Sequence, residues 1–298
     1  MSRLEKIKQL RYNVARDYAR VYEFLTKTYN IETLNSYLIP QYFEYAQHHF
    51  CFDDKSTHRI GLWEDNGRLV GISTYEMQLG EVHLHTRPNY EFLLPELLSW
   101  AESEMSVEHE GLKRLKVWVT DSEVSKIKLL NEKQYSKVGS DTVTIFDYKD
   151  SFLKLSLPSG YKLISSNEVD ATKLAKCYHE GFNNEGEMTK ANIDGILKMN
   201  SAPNVKANLT TVIVAPNGDY ASALGMWLDE KNNYAYLEPL ATVPEYRRKG
   251  LATFALMHAM KRTKEMGATY CFGGGVMNYY PVIGFKTIMQ RELWEKKF

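Results

Sequence analysis

Thr242-Val-Pro-Glu-Tyr-Arg-Arg-Lys-Gly-Leu-Ala-Thr253 is the stretch on which the reading turns. The apolar, aromatic-rich run Tyr234 to Val243 leads into it and reads as a strand. Leu251 to Met266 follows with helical spacing of apolar residues, and Gly267 is a good stop. The quoted segment is therefore a strand-to-helix turn. It carries three cations in a row, Arg247, Arg248 and Lys249, and then Gly250. Glycine lets a backbone come close to a ligand. The first N–H groups of a helix have no intrahelical acceptor, and the helix dipole makes that end positive. The combination is an anion site suited to a pyrophosphate. It is neither a Walker A loop nor a Gly-x-Gly-x-x-Gly dinucleotide turn. On composition alone, a solvated basic turn before a helix is the competing reading.

The surrounding elements place this turn in a mixed fold. Leu209 to Ala215 is β-rich and ends in the turn Pro216-Asn-Gly-Asp219, and Tyr220 to Leu228 reads as the next strand. With Tyr234 to Val243 these form an antiparallel meander. Ala268 to Gly273 is a short strand, Tyr279 to Ile283 a short helix and Lys286 to Trp294 a last strand. Asp170 to Phe182 and Lys190 to Met199 read as helices ahead of the meander. The first half repeats the order. It has helices at Arg11 to Tyr29 and Gln41 to Phe50, strands at Arg59 to Glu64, Leu69 to Met77 and Glu81 to Thr86, and a helix at Phe92 to Met105. A strand at Leu112 to Thr120, a helix at Val124 to Asn131 and a strand at Ser140 to Tyr148 complete it. Landmarks recur as well. Gly71 matches Gly225 (225 − 71 = 154), Pro88 matches Pro244 (244 − 88 = 156) and Gln134-Tyr135 matches Gly284-Phe285 (284 − 134 = 150). So steady an offset points to an internal duplication. The fold class expected is α/β (α+β): two tandem domains, each a mixed, mostly antiparallel sheet flanked by helices. The boundary falls within Lys149 to Gly160, giving domains 1–150 and 151–298.

The 298 residues suit two domains, and 44% hydrophobic with 25% charged residues is ordinary for a globular chain. Lys plus Arg and Asp plus Glu number 37 each, so the net charge is zero, which argues against a dedicated nucleic-acid binder. Cys51, Cys177 and Cys271 share no metal-type spacing, and an odd count does not build a disulfide framework. The opening Met1-Ser-Arg-Leu-Glu5 lacks a signal-peptide apolar run, and no stretch of about 18 apolar residues exists. A cytoplasmic location, no membrane and no metal are expected.

Arg247-Arg-Lys-Gly-Leu-Ala252 resembles the Gln/Arg-x-x-Gly-x-Gly/Ala loop of the GCN5-related N-acetyltransferases (GNAT), with Ala252 where a glycine is common. Tyr280-Pro-Val-Ile-Gly-Phe285 resembles the family's Tyr-x-x-x-Gly-Phe signature. The resemblance is good over Ser165 to Trp294. It implies two acyl-CoA N-acyltransferase domains and a loop, Arg247, Arg248, Lys249, Gly250, Leu251, Ala252 and Thr253, that cradles the pyrophosphate of coenzyme A. It further implies that strands four and five, Tyr234 to Val243 and Ala268 to Gly273, splay to take the pantetheine arm. Backbone N–H groups at Thr242 and Val243 would then meet the thioester carbonyl, and Asn278 would partner the arm. Pro239 inside strand four fits a bulge there. In the first half, Glu91-Phe-Leu-Leu-Pro-Glu96 replaces the basic turn, and Leu130 stands where Tyr280 would be. Acid repels a pyrophosphate and bulky Leu blocks close approach. That half is expected to be a degenerate copy that binds no coenzyme A and serves packing, dimerisation or one wall of an acceptor site.

The chemistry implied is direct transfer of an acetyl group from acetyl-CoA to a primary amine of a small molecule or an amino terminus. Tyr280 is the expected general acid, since a phenol with pKa near 10 is protonated at neutral pH. Glu238 is expected as general base or amine anchor, against the equal alternative of a strand-surface carboxylate. Tyr279 is a neighbour placed to touch cofactor, and Glu245 reads as a structural charge at the helix start. Gly273-Gly-Gly275 either makes room for the cofactor arm or is an ordinary loop. Cys271, among apolar neighbours, is not expected as a nucleophile. His83 and His85 share a strand face and read as packing rather than metal ligands. A coenzyme A-binding sensor or scaffold without turnover, and a transferase of another acyl group, are the alternatives. The expected partner is a small-molecule amine or peptide acceptor, and a homodimer is left open.

Overall fold

The computed structural model describes residues 7–164, 168–274 and 279–298. Its chain divides into two compact units. The first comprises Met1–Gln47, Cys51–Thr142 and Met289–Phe298; the second comprises His48–Phe50 and Val143–Ile288. A cut between residues 150 and 151 differs from this division at two strands. The end of β7 belongs to the second unit, and the closing decapeptide Met289–Phe298 belongs to the first.

In chain order the first unit contains β1 (Ile7–Arg11), α1 (Val14–Thr28), α2 (Pro40–His48), β2 (Gly61–Asp65), β3 (Arg68–Tyr75) and β4 (Glu81–Thr86). It continues with α3 (Leu94–Glu104), β5 (Val107–His109), β6 (Leu112–Thr120), α4 (Val124–Glu132) and the start of β7 (Ser136–Asp147). Helix α1 begins where Asn13 accepts a hydrogen bond from Arg16 N–H, a side-chain cap. β1 to β4 pair antiparallel in sequence order, and β4 then meets β6 in parallel. The sheet is completed by β13 (Lys286–Lys297), whose Arg291 to Lys297 run antiparallel to Thr120 to Arg114.

The second unit contains β8 (Lys162–Ile164), α5 (Ala171–Gly181), α6 (Lys190–Asn200), β9 (Thr211–Val214), β10 (Tyr220–Asp229) and β11 (Tyr234–Thr242). After these come α7 (Leu251–Glu265), β12 (Tyr270–Gly273) and the single-turn α8 (Tyr279–Val282). β8 to β11 are antiparallel, β11 to β12 is parallel, and the end of β7 pairs antiparallel with β12. β10 is buried nearly throughout, and so is the first part of β11, Tyr234 to Leu237, because both faces are covered there. α7 seats Leu251, Ala255, Leu256, Ala259 and Met260 in the same core as Ala223, Leu224 and Ala235. It stops where Gly267 takes φ +101° and Ala268 N–H returns to Thr263 O.

The repeated landmarks have the same local construction in both units. Val243 N–H donates to Ala221 O, and Arg87 N–H donates to Val70 O. Phe285 N–H reaches back to Tyr280 O as Tyr135 N–H does to Leu130 O, each across a residue of positive φ, Gly284 or Gln134. Leu130 therefore occupies the position that Tyr280 holds in the second unit.

Candidate active site

The turn after β11 is built to leave donors open. Arg248 (φ +62°) and Gly250 (φ +75°) are both left-handed, which coils the backbone around its own N–H groups. A Cβ on Gly250 would meet nothing within 4 Å, so the space beside it is open. The first helical hydrogen bond of α7 is Phe254 N–H to Gly250 O at 2.9 Å. The N–H groups of Leu251, Ala252 and Thr253 precede that bond, and Gly250 has no side chain to cap them. Arg248 makes no hydrogen bond or ion pair among the described residues. Lys249 folds back: its Nζ is 3.1 Å from Tyr161 Oη and 5.2 Å from the centre of the Tyr246 ring. Tyr246 is pushed up to about 12, first by its hydrogen bond to Glu245 and then by burial.

Arg247 has a second task that the sequence reading did not foresee. Its Nε donates to Thr242 O at 3.0 Å, and its Nη2 donates to Gly181 O at 2.8 Å and Asn183 Oδ1 at 2.9 Å. The first cation of the turn thus ties the end of β11 to the end of α5.

β11 and β12 pair only over Tyr234, Ala235 and Tyr236 with Tyr270, Cys271 and Phe272. β11 then runs on to Thr242, while β12 ends at Gly273. Among the described residues their pairing does not continue beyond Tyr236 and Phe272. A register shift between β10 and β11 lies between Leu224 and Met226, opposite Glu238 and Pro239, where the proline cannot supply a ladder donor. Gly225 is required there, because a Cβ would lie 2.6 Å from Glu238 O.

The two amides expected as thioester donors separate in the structure. Val243 N–H is committed to Ala221 O at 3.0 Å, so it is not an open donor. Thr242 pairs in register with Ser222, and antiparallel alternation turns its N–H away from β10, toward the side on which β12 pairs. Leu240, two residues earlier, shares that orientation. Thr242 Oγ1 is 2.9 Å from Ser222 Oγ on the strand face. Asn278 lies outside the described residues, as does Gly275.

Tyr280 is buried at 6% exposure on α8, with its ring edge-on to Tyr279 and Phe285. Its pKa is raised above the usual value, first by burial and then by the nearby Glu238 carboxylate, while the Gly274 N–H aimed at its hydroxyl works the other way. The structure therefore sets Tyr280 and Glu238 within electrostatic reach of each other. Burial and Glu238 also hold Tyr178 of α5 well above its ordinary value, so a second phenol borders this carboxylate. Tyr279 donates from its hydroxyl to Thr253 Oγ1 at 3.2 Å, joining α8 to the first turn of α7. The glycines at the end of β12 serve these rings. A Cβ on Gly273 would lie 2.5 Å from the Phe285 ring, and one on Gly274 2.7 Å from the Tyr280 ring. Their smallness accommodates aromatic side chains of this unit.

The groups set aside as packing behave so. Burial raises the Cys271 thiol above its ordinary value, and pushes Cys177 up to about 12. His83 Nδ1 faces Ser36 O at 3.1 Å and His85 Nε2 faces Thr28 Oγ1 at 2.6 Å; burial lowers both, His83 to about 3. Among the described residues no cluster of three His, Cys, Asp or Glu is placed to hold a metal ion, and no helix is long and apolar enough to cross a membrane.

With this geometry in view, residues 174–283 match the profile of the acetyltransferase (GNAT) family. No curated protein matches the chain by sequence. Solved structures match over nearly the whole chain. A tandem GNAT protein from the clavulanic acid biosynthesis pathway aligns at TM-score 0.68 and 10% identity, over 98% of each chain. A GCN5-related N-acetyltransferase from Sphaerobacter thermophilus aligns at 0.60 and 12%, over 98% of this chain and 96% of that one. A GNAT-family acetyltransferase from Colwellia psychrerythraea aligns at 0.58 and 14%, over 98% and 99%. The family match is confined to residues 174–283, within the second unit, and the whole chain has the fold of a tandem GNAT protein.

Proposed function

We propose that the second unit is an acetyl-CoA-dependent N-acetyltransferase acting by direct transfer to a primary amine of a small molecule or an amino terminus. The observation that carries this reading is the run of open N–H groups at the start of α7, set beside Arg247 and Arg248 and after a β11 whose described pairing with β12 stops at Tyr236. The pyrophosphate of the cofactor is held by the turn Arg247 to Thr253. Thr242 N–H faces the thioester carbonyl and stabilises negative charge as it develops there. Glu238 takes a proton from the ammonium form of the acceptor or anchors it. Tyr280 donates a hydrogen bond to the departing thiolate.

The first unit, on this reading, carries no cofactor. After His83 and Trp118 its β4 and β6 also stop pairing, but Lys126 of α4 fills the gap, donating to Leu84 O at 2.6 Å. Glu91 to Glu96 offers carboxylates where the second unit has cations.

The reading is tested by release of free thiol from acetyl-CoA in the presence of a panel of small primary amines and short peptides. At least one acceptor should raise the rate well above the slow hydrolysis seen without amine, with an acetylated product of matching mass. Tight cofactor binding with no acceptor-dependent thiol release across such a panel would favour a coenzyme A-binding sensor instead.

A further inference from the structure

We infer that the turn ending α5 is a third part of the cofactor site, with Asn183 as the residue that positions Arg247. This rests on the cofactor reading given above. α5 ends in a left-handed residue, Asn183 at φ +56°, and Asn184 N–H closes back to His179 O at 3.1 Å. That turn leaves the Gly181 carbonyl at the negative end of the helix dipole, where a cation is favoured. Arg247 supplies the cation. It spends Nε on Thr242 O and Nη2 on Gly181 O and Asn183 Oδ1, which fixes the guanidinium plane from two elements at once. Nη1 makes no hydrogen bond among the described residues, so its two donors are available to an anion lying over the open amides of α7. Arginine alone among the cations has a planar fork that allows such division of labour.

Gly181 adds a second, steric observation. A Cβ at this position would lie 2.7 Å from Ala241 Cβ and 3.2 Å from Thr242 N. α5 therefore packs on β11 at the residue whose N–H is turned toward the thioester, and the missing side chain leaves that nitrogen uncrowded. The α5 end touches both the anion-binding cation and the carbonyl-facing amide. Binding of the cofactor pyrophosphate to Nη1 fixes Arg247, and through it the segment from His179 to Thr189 that leads into α6. Cofactor binding should thus order this connection before the acceptor is engaged.

The test is amide hydrogen exchange across 179–189 with and without acetyl-CoA, paired with calorimetric titration of the same samples. In wild type, acetyl-CoA should slow exchange in this segment about tenfold, the size expected when a charged hydrogen-bonded contact is stabilised. Asn183→Gly keeps the left-handed backbone but removes Oδ1. It should weaken cofactor binding by about tenfold or less, lose most of the protection, and raise the acceptor KM about tenfold. Asn183→Asp returns an oxygen acceptor and should restore both. Equal behaviour of the Gly and Asp variants, or no protection in a wild type that binds acetyl-CoA, overturns the coupling and leaves the cofactor reading intact. Failure of wild type to bind acetyl-CoA overturns both, and the titration tells the two failures apart.

Discussion

Tyr280→Phe should lower kcat roughly 10²-fold while leaving acetyl-CoA affinity unchanged, because it removes one hydroxyl from a ring that is otherwise held by packing. The size follows from the proton's energetics. Burial and Glu238 raise the phenol above its ordinary value, so it stays protonated through the range in which a free thiolate, near 8.5, takes up its proton. Complete transfer from a phenol of at least 10 to such a thiolate is uphill by about 2 kcal/mol or more. The hydroxyl therefore acts chiefly as a hydrogen-bond donor to growing charge, which places its effect toward the lower end of general-acid contributions of about 10²–10⁴. The sign for pH is fixed by the same shift. A raised phenol keeps its proton as pH climbs, so Tyr280 contributes no alkaline loss of activity below about pH 10, and any earlier limb in the wild-type profile should persist in Tyr280→Phe. Steady-state kinetics from pH 6 to about 9.5 check both points. An unchanged kcat would remove Tyr280 from the reaction, and a limb that vanished in the variant would contradict the raised pKa.

The second large effect is on stability, in the first unit. Lys126→Ala should destabilise that unit by about 3–5 kcal/mol, since one partner of a buried ion pair is removed. Lys126 and Glu123 have side chains 5% and 7% exposed and pair at 2.5 Å. Lys126 Nζ also donates to Ser36 Oγ and Leu84 O, each at 2.6 Å. Without it, Glu123 keeps, among the described residues, the neutral donors Ser36 N–H, Ser36 Oγ–H and Thr120 N–H. Lys126→Met separates the lost charge from the lost volume, and Lys126→Met with Glu123→Gln should recover most of the loss. Urea unfolding reads this by fluorescence of Trp63, Trp100 and Trp118, all in the first unit. A change under about 1 kcal/mol for Lys126→Ala would mean that the pair is accessible to water and that the gap between β4 and β6 is not sealed.

Much of this was readable in the sequence wherever local chemistry decides structure. The β11–α7 turn was legible because cations, glycine and a helix start fall together, and Gly250 does adopt the positive φ that only glycine takes freely. Helix α7 and the meander β9 to β11 lie within a few residues of their expected bounds, since their apolar patterns are long and are punctuated by Pro216 to Gly218 and Asp229 to Asn233. Position in the ladder was not legible. Whether Thr242 or Val243 presents an open N–H depends on register with β10, which no local residue encodes. The role of Gly273 and Gly274 depends on Phe285 and Tyr280, which reach them only through tertiary packing. Asn183 gave no signal beyond being an asparagine after a helix, and Arg247 gave none of its capping of α5. The assignment of Met289–Phe298 to the first unit was hidden for the same reason: a strand's sequence does not name the sheet that it completes.

The central claim, that the turn Arg247 to Thr253 holds the cofactor, is tested most directly by calorimetric titration of acetyl-CoA into wild type and Gly250→Glu. Gly250 is exposed and a Cβ there meets nothing within 4 Å, while the left-handed φ costs about 1 kcal/mol of strain, too little to unfold a domain. The carboxylate that the substitution adds stands among the amides that would receive the pyrophosphate. Wild type should bind one acetyl-CoA per chain, and the variant, folded by circular dichroism, should bind at least about 100-fold more weakly. Equal affinity in the two proteins, or two equivalents per chain in wild type, would contradict the account.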